Sequence, residues 1–128
     1  MIVRGPIPTQ PETFEDGNGA VVRFLGVVRG DGDQPRVRSI FYDAYPPMAQ
    51  RVIDDIVAMA RQRHRIDTAA IVHRVGDVPV GEASLLVEVR AKHRGDSFDA
   101  LKWIVEEIKH RLPIWKREEY DDGSSRWL

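Results

Sequence analysis

Hydrophobic and polar positions follow two different periods along the chain, and these periods predict strands in some segments and helices in others. The segment Ser84–Lys92 alternates between an apolar face and a mostly charged face, which predicts a half-buried strand. The valine-rich run Ala20–Val28 lacks this alternation and predicts a strand that is buried on both faces. Val37–Tyr42 and Ala69–Val75 predict two further strands.

Two longer segments have the spacing of helices with one apolar face. Pro46-Pro47 precedes the first helix, which is predicted from Met48 to about Arg65. Ser97 is the predicted N-cap of the second helix, which ends before Pro113 because the residue before a proline avoids the α region. The first apolar stripe is Ala49, Val52, Ile53, Ile56 and Ala60, and the second is Phe98, Leu101, Val105, Ile108 and Leu112.

The order of these elements is β-β-α-β-β-α with a structured tail. It predicts an α+β fold in which two long helices pack on a mixed, mainly antiparallel sheet. The length of 128 residues fits a single domain over residues 1–128. The polar, glycine-rich segment Arg29–Pro35 is either a hairpin connection or a mobile flap.

The composition narrows the class of protein. With 42% hydrophobic and 30% charged residues, the chain is typical of a soluble globular protein, and its net charge of −1 argues against a general nucleic-acid binder. The chain contains no cysteine, so it has no thiolate nucleophile and cannot carry sulfur as a persulfide. Any sulfur that it handles must arrive on a partner or on a small molecule.

The sequence also bears on location and on bound groups. The N-terminal segment lacks the apolar core of a signal peptide, and no apolar run approaches the roughly 20 residues of a membrane span. The expected location is therefore the cytoplasm, away from membranes. The histidines do not have the spacing of metal ligands, so neither a zinc site nor a cofactor is expected.

Positively charged side chains stand at the predicted ends of core elements. His93 and Arg94 lie at a strand-to-helix turn, where the unpaired N–H groups of a helix N-terminus favour anions. Arg29 directly follows the first strand, where a ligand contact is common. The alternative interpretation is a polar surface with solvated charges.

Two lysines are candidates for reacting groups. Lys109 borders the apolar stripe of the second helix, and a lysine held against apolar surface loses hydration, which favours the neutral, nucleophilic amine. Lys116 follows Trp115, which is expected to anchor the chain on the core and hold the lysine in place. The alternatives are a solvated lysine near a helix C-terminus and a charged tail with one anchor. With the three cations above, the lysines suit a multiply anionic small substrate or a carboxylate tail.

Several short segments, in order along the chain, resemble the large, catalytic subunit of molybdopterin synthase, the MoaE family. The resemblance covers nearly the whole chain, from Gly19 to Trp127. The segments are Gly19–Arg29, Tyr42–Ala49, His73–Gly76, Val80–Glu82, Ala91–Arg94, Leu112–Glu118, Asp122-Gly123 and Trp127.

The resemblance implies an α/β-hammerhead fold and a sulfurtransferase built on a homodimer. Each subunit would bind one small ubiquitin-like, MoaD-like sulfur carrier, which gives a heterotetramer. The C-terminal thiocarboxylate of the carrier would enter the large subunit and pass two sulfurs in succession to cyclic pyranopterin monophosphate, forming the molybdopterin dithiolene. By motif, Lys109 and Lys116 match catalytic lysines of the family, and Arg29, His93 and Arg94 match residues that hold the substrate's phosphate and pterin.

The chain departs from the family pattern at two places. Gly30 stands where the family often has asparagine, and the chain ends at Leu128, where many relatives continue. The residue that a longer tail would supply is therefore expected to be absent or replaced by one such as Arg126.

Two other function classes fit the same cationic pocket. One is a non-catalytic module that binds a carboxylate-ended partner tail, and the other is a different phosphate-ester enzyme. The two lysines favour the synthase, because a pure binding site does not require two lysines on rigid elements.

Overall fold

A computed structural model describes residues 1–32 and 35–128 and contains two helices on one face of a seven-stranded sheet. The helices are α1 (Pro46–Arg63) and α2 (Arg94–Arg111). The strands are β1 (Ile2–Arg4), β2 (Ala20–Val27), β3 (Val37–Ala44), β4 (Thr68–Pro79), β5 (Ala83–Ala91), β6 (Ile114–Tyr120) and β7 (Ser125–Trp127).

The sheet has the order β2-β5-β4-β3-β6-β7, with β1 paired in parallel to β4 and every other described pair antiparallel. The predicted α+β class with a mixed, mainly antiparallel sheet is therefore confirmed. The predicted structured tail consists of β6 and β7. Part of the predicted Arg29–Pro35 loop, residues 33 and 34, lies outside the described residues.

The long strand β4 connects two halves of the sheet. Its first half, from Thr68 to His73, pairs with β5, and its last residues, from Gly76 to Pro79, pair with β3. Gly76 has a φ of 91°, a conformation that glycine adopts at little cost and other residues resist. The chain therefore bends between the two pairings, and the two halves of the sheet meet beside His73.

The main core lies between the helices and the inner face of the sheet. The apolar stripe predicted for α1 is confirmed, since Ala49, Ile53, Ile56 and Ala60 are buried. The stripe predicted for α2 is rotated: its buried residues are Ser97, Ala100, Ile104 and Ile108. Phe98 was predicted in the stripe but is exposed, because small residues at 97 and 100 let the helix approach the sheet closely along a different line.

The helix N-terminus also differs from the prediction. His93, and not Ser97, is the N-cap of α2, and Ser97 lies fully buried within its first turns. The one proton of the Ser97 hydroxyl is shared between the carbonyl oxygens of Ala20, at 3.4 Å, and His93, at 3.3 Å. Ser97 therefore ties the start of α2 to the start of β2.

The N-terminal segment packs against the outer face of the sheet, and the burial predicted for two strands is wrong. Strand β5 was predicted to be half-buried, but both of its faces are buried, including Leu86 and Glu88 on the outer side. Strand β2 was predicted to be buried on both faces, but as an edge strand it leaves Leu25 and Val27 about half exposed. Alternation in sequence cannot distinguish a solvated face from one that a loop covers.

A buried carboxylate holds the N-terminal segment to this face. Glu88 accepts hydrogen bonds from Arg23 at 2.5 Å and from Arg90 at 2.7 Å. Both guanidinium groups also lie over the ring of Phe14, at 5.9 and 4.7 Å from its centre, and Arg23 bonds Glu12. Burial opposes ionisation of Glu88, but the two arginines outweigh it, so its pKa lies below the usual value.

Within the described residues, neither helix is long and apolar enough to cross a membrane.

We expect Glu88→Gln to destabilise the protein by about 1–3 kcal/mol at pH 7, because two arginines lose their shared anion while keeping some contact with water. The carboxylate is stabilising above its unfolded pKa, and this contribution is lost as the pH falls through the lower folded pKa. Urea denaturation at pH 7 and near pH 3 should therefore show a smaller difference between the two proteins in acid. Equal stability at pH 7 would contradict the role given to Glu88.

Candidate active site

A cleft of about 470 Å³ opens where the two halves of the sheet meet the C-terminal end of α2. Its walls come from β2, β3, β4, β5, β6 and the last turn of α2. Apolar side chains form much of its lining, and two lysines, a histidine, a tyrosine and a serine supply the polar groups. The lining residues are Phe24, Gly26, Val27, Tyr42, His73, Ser84, Leu85, Ile108, Lys109, Leu112, Ile114 and Lys116.

The two predicted lysines meet in this cleft because the chain turns back immediately after α2. Lys109 lies in the last turn of α2, and β6 begins at Ile114, only two residues after the cap residue Leu112. Lys116 stands directly opposite Tyr42 in the antiparallel pairing of β6 with β3. Pairing, and not an aromatic anchor, therefore fixes Lys116: Trp115 was predicted to insert into the core, but it points to the other face and is 55% exposed.

The cleft is cationic. Lys109 and Lys116 both line it, and no carboxylate is among the lining residues in the described part of the chain. Both lysines are exposed in this chain, so the partial desolvation predicted for Lys109 stays a prediction. A ligand that fills the cleft would add to it, since apolar side chains form much of the lining.

His73, Tyr42 and Ser84 also line the cleft, and they were not predicted as site residues. The rings of His73 and Tyr42 meet edge to face, with centres 5.2 Å apart, and both residues are almost completely buried. They come from strands β4 and β3, so only the register of the sheet brings them together. The one hint in the sequence is that His73 directly follows the apolar run from Ala69 to Val72.

Burial sets the protonation of these two side chains. The pKa of His73 is lowered to about 4, first by loss of hydration and further by the charges of Lys116 and the N-terminal amine. Burial raises the pKa of Tyr42, against a hydrogen bond with Ser84. Both groups are therefore neutral near pH 7, and the positive charge of the cleft rests on its lysines.

Arg29 lies near this cleft but does not line it. It follows Val28, whose backbone N–H donates to the carbonyl of Glu82 at 3.0 Å, and its own side chain is exposed. At the next position a Cβ on Gly30 would stand 2.9 Å from the Val37 carbonyl oxygen. An asparagine at position 30 would therefore require the chain around it to shift.

His93 and Arg94 are at the other end of α2. His93 caps the helix and Arg94 is its first residue, and both side chains are exposed. Arg94 and Lys109 are separated by fifteen helical residues, which corresponds to about 22 Å along the axis. One subunit alone therefore does not bring the predicted phosphate-binding pair to the predicted catalytic lysines.

Among the described residues, no group of three or more histidine, aspartate and glutamate side chains is arranged to hold a metal ion.

Comparison with known proteins identifies the family. The family model described as MoaE protein matches residues 7–111. A protein of Thermoplasma volcanium named molybdopterin synthase catalytic subunit is 40% identical over 109 residues, which covers 85% of this chain and 80% of that protein. A longer relative of the same name from Emericella nidulans is 39% identical, and the chain spans 56% of its length.

Solved structures agree with the fold. The crystal structure of molybdopterin synthase from Staphylococcus aureus matches with a TM-score of 0.93 and 33% identity, over 99% of this chain and 94% of that one. A Helicobacter pylori structure, described as a complex of subunits 1 and 2 of molybdopterin-converting factor, matches with a TM-score of 0.74 over 88% of this chain and 73% of that one. At 22% identity, that second likeness shows the fold alone.

We expect the His73 ring to remain neutral, with the proton on Nδ1, down to about pH 5, because its pKa is about 4. Nitrogen-detected NMR of the imidazole rings checks this, with His73→Gln assigning the signal. The unfolded chain binds this proton near the ordinary value of 6.5, so acidification from there to pH 4 should destabilise the wild type more than the variant. A His73 signal that titrates near pH 6.5 would contradict the assignment.

Proposed function

The chain belongs to the MoaE family, and from that premise we propose that it is the catalytic subunit of a molybdopterin synthase, a sulfurtransferase of molybdenum cofactor biosynthesis. Its reaction moves sulfur from the thiocarboxylated C-terminus of a small carrier subunit to cyclic pyranopterin monophosphate. The observation that carries the proposal is the meeting of Lys109 and Lys116 in one cleft that, among the described residues, has apolar walls and no lining carboxylate.

The cleft suits the end of a carrier tail. A thiocarboxylate is anionic, so two ammonium groups attract it, and the apolar walls from Phe24, Leu85 and Ile108 can cover the chain behind it. Once the tail fills the cleft, water leaves the lysines, and their charges attract the bound anion more strongly because the local dielectric constant is lower. The exposure of both lysines in the single subunit is consistent with a site that binding completes.

Lys109 and Lys116 are proposed as the catalytic residues. When sulfur leaves the carrier's terminal carbonyl carbon, that carbon must end as a carboxylate, so an oxygen from water adds and an oxyanion forms. We assign Lys109 to the acyl carbon, where its ammonium stabilises this charge. We assign Lys116 to proton transfer or to charge on the pterin substrate, since it rises from a strand on the facing wall.

Arg29, His93 and Arg94 are proposed to hold the phosphate and the pterin. Because Arg94 is about 22 Å from Lys109 along α2, one subunit cannot present both to a small substrate. We therefore propose that the protein works as a homodimer and that each site takes its lysines from one subunit and His93 and Arg94 from the other. A twofold axis that sets the two α2 helices antiparallel brings these opposite ends together.

The partner, the domain and the location complete the proposal. The Helicobacter pylori protein that shares the fold was solved as a complex of two subunits, which is compatible with a small carrier subunit here and a heterotetramer. We take residues 1–128 as one domain, because a single sheet receives strands from Ile2 to Trp127. We place the reaction in the cytoplasm on the basis of family membership.

Lys109→Ala should lower turnover roughly a hundredfold or more, because an ammonium placed at a developing oxyanion is lost. The assay mixes the protein with thiocarboxylated carrier and cyclic pyranopterin monophosphate and measures the dithiolene product. Lys102→Ala is the matched control: Lys102 is exposed on the same helix, about two turns earlier, and does not line the cleft.

Carrier binding should survive in the Lys109→Ala protein, as measured by calorimetry. Turnover by that variant equal to the Lys102→Ala control would exclude the catalytic role of Lys109. A wild-type protein that binds the carrier and forms no product would instead favour a non-catalytic module for a carboxylate-ended tail.

Mixing two inactive variants tests the shared site. Lys109→Ala and Arg94→Ala subunits, unfolded together and refolded as a one-to-one mixture, should recover about a quarter of wild-type turnover, because half of the dimers are mixed and each has one intact site. Each variant refolded alone is the control. A mixture no more active than the controls would mean that both residues act within one subunit or on different steps.

A further inference from the structure

His73 lines the cleft but has no role in the reaction proposed above. Among the described residues that line the cleft, His73 is the one histidine. It lies where β4 passes from one half of the sheet to the other. The residue is only 6% exposed. A polar side chain this deeply buried is costly unless its hydrogen bonds are satisfied or used.

One nitrogen of the His73 ring already has a hydrogen-bond partner. Nδ1 lies 2.8 Å from the carbonyl oxygen of Arg74, and since a carbonyl only accepts, Nδ1 must carry the proton. Nε2 is then a hydrogen-bond acceptor. Within the described residues it has no protein partner, and the ring belongs to the cleft wall. The neutral state of the ring, with a pKa of about 4, preserves this acceptor at physiological pH.

The geometry selects Lys116 as the donor. Tyr42 lies edge to face with His73, at 5.2 Å between ring centres, and it is the cross-strand partner of Lys116. The charge of Lys116 is close enough to His73 to help lower its pKa. An ammonium has three donors and no acceptor, so a neutral imidazole nitrogen is a fitting partner.

We propose that His73 is a positioning residue: its ring, fixed by the Arg74 carbonyl and the Tyr42 edge, accepts a hydrogen bond from the Lys116 ammonium through Nε2 and so sets where that ammonium stands. The inference rests on the proposed function for its effect on turnover, but the contact itself does not. A neutral acceptor orients Lys116 without adding a third positive charge to the cleft. His73 acts through Lys116 and is not itself a catalytic residue.

The first test measures the lysine directly and needs neither carrier nor substrate. The protein is treated briefly with an amine-acylating reagent, and mass spectrometry of peptides gives the labelling of Lys116 relative to exposed Lys102. His73→Phe keeps a flat ring but removes the acceptor, so Lys116 labelling should rise roughly two- to tenfold, the range of one lost hydrogen bond. His73→Gln, whose amide oxygen can accept, should restore the wild-type value.

His64→Phe is the matched control, because the His64 ring packs near Trp103, with centres 6.0 Å apart, and does not line the cleft. It should leave Lys116 labelling unchanged. Thermal unfolding of each variant confirms that the comparison is made between folded proteins. Equal labelling in wild type and His73→Phe would overturn the proposal, as would an equal rise in His73→Phe and His73→Gln.

The second test uses turnover. His73→Phe should lower kcat several-fold, with the carrier's KM unchanged and kcat regained in His73→Gln, because only the lysine's placement is altered. A loss through KM alone, or no rescue by glutamine, would overturn the positioning role. If the wild type forms no product at all, the proposed function fails, and the labelling experiment alone decides on the contact.

Discussion

The change of partners along β4 is the constraint on which the rest of the structure depends. The strand pairs with β5 up to His73 and with β3 from Gly76 onward, and the positive φ of Gly76 allows the bend between the two pairings. Beside this point His73 lies in the wall of the cleft, and Lys116 on β6 lines the same cleft near the end of α2.

Charge and hydration support the proposed binding of an anionic sulfur donor in this cleft. Two exposed ammonium groups among apolar walls cost little in the single subunit, because water still solvates them. In the proposed complex, a docked anionic tail replaces that water, so the same charges act more strongly on it. Neutral His73 and Tyr42 keep the positive charge on the lysines. A second cationic group, at Arg94, stands at the far end of α2, where the proposed dimer would bring it to the neighbouring subunit's cleft.

Sequence patterns predicted the fold class and the buried stripe of α1, because hydrophobic periodicity reports local structure. They also singled out Lys109 and Lys116, which the fold brings into one cleft. They did not predict which neighbours cover a surface. Ser97 is a residue type that often caps helices, but here it lies within the helix and contacts β2. Trp115 faces outward because the strand pairing of β6 decides which side chains point to which face. The contact of His73 with Tyr42 depends on long-range register, which no local pattern contains. The role of the lysines as catalytic residues came from family motifs and stays a prediction.

The proposal that a carrier tail ends beside Lys109 and Lys116 is tested most directly by finding which lysine the carrier's C-terminus contacts. A water-soluble carbodiimide activates the terminal carboxylate of the unsulfurated carrier, and the amide that forms with a lysine in contact is located by mass spectrometry. The other lysines of the chain, Lys92 and Lys102, serve as internal controls. If the tail enters the cleft, the crosslink forms at Lys109 or Lys116, and an excess of unreactive, C-terminally amidated carrier suppresses it. Crosslinks confined to Lys92 or Lys102, or spread equally over all of them in a stable complex, would contradict the proposal.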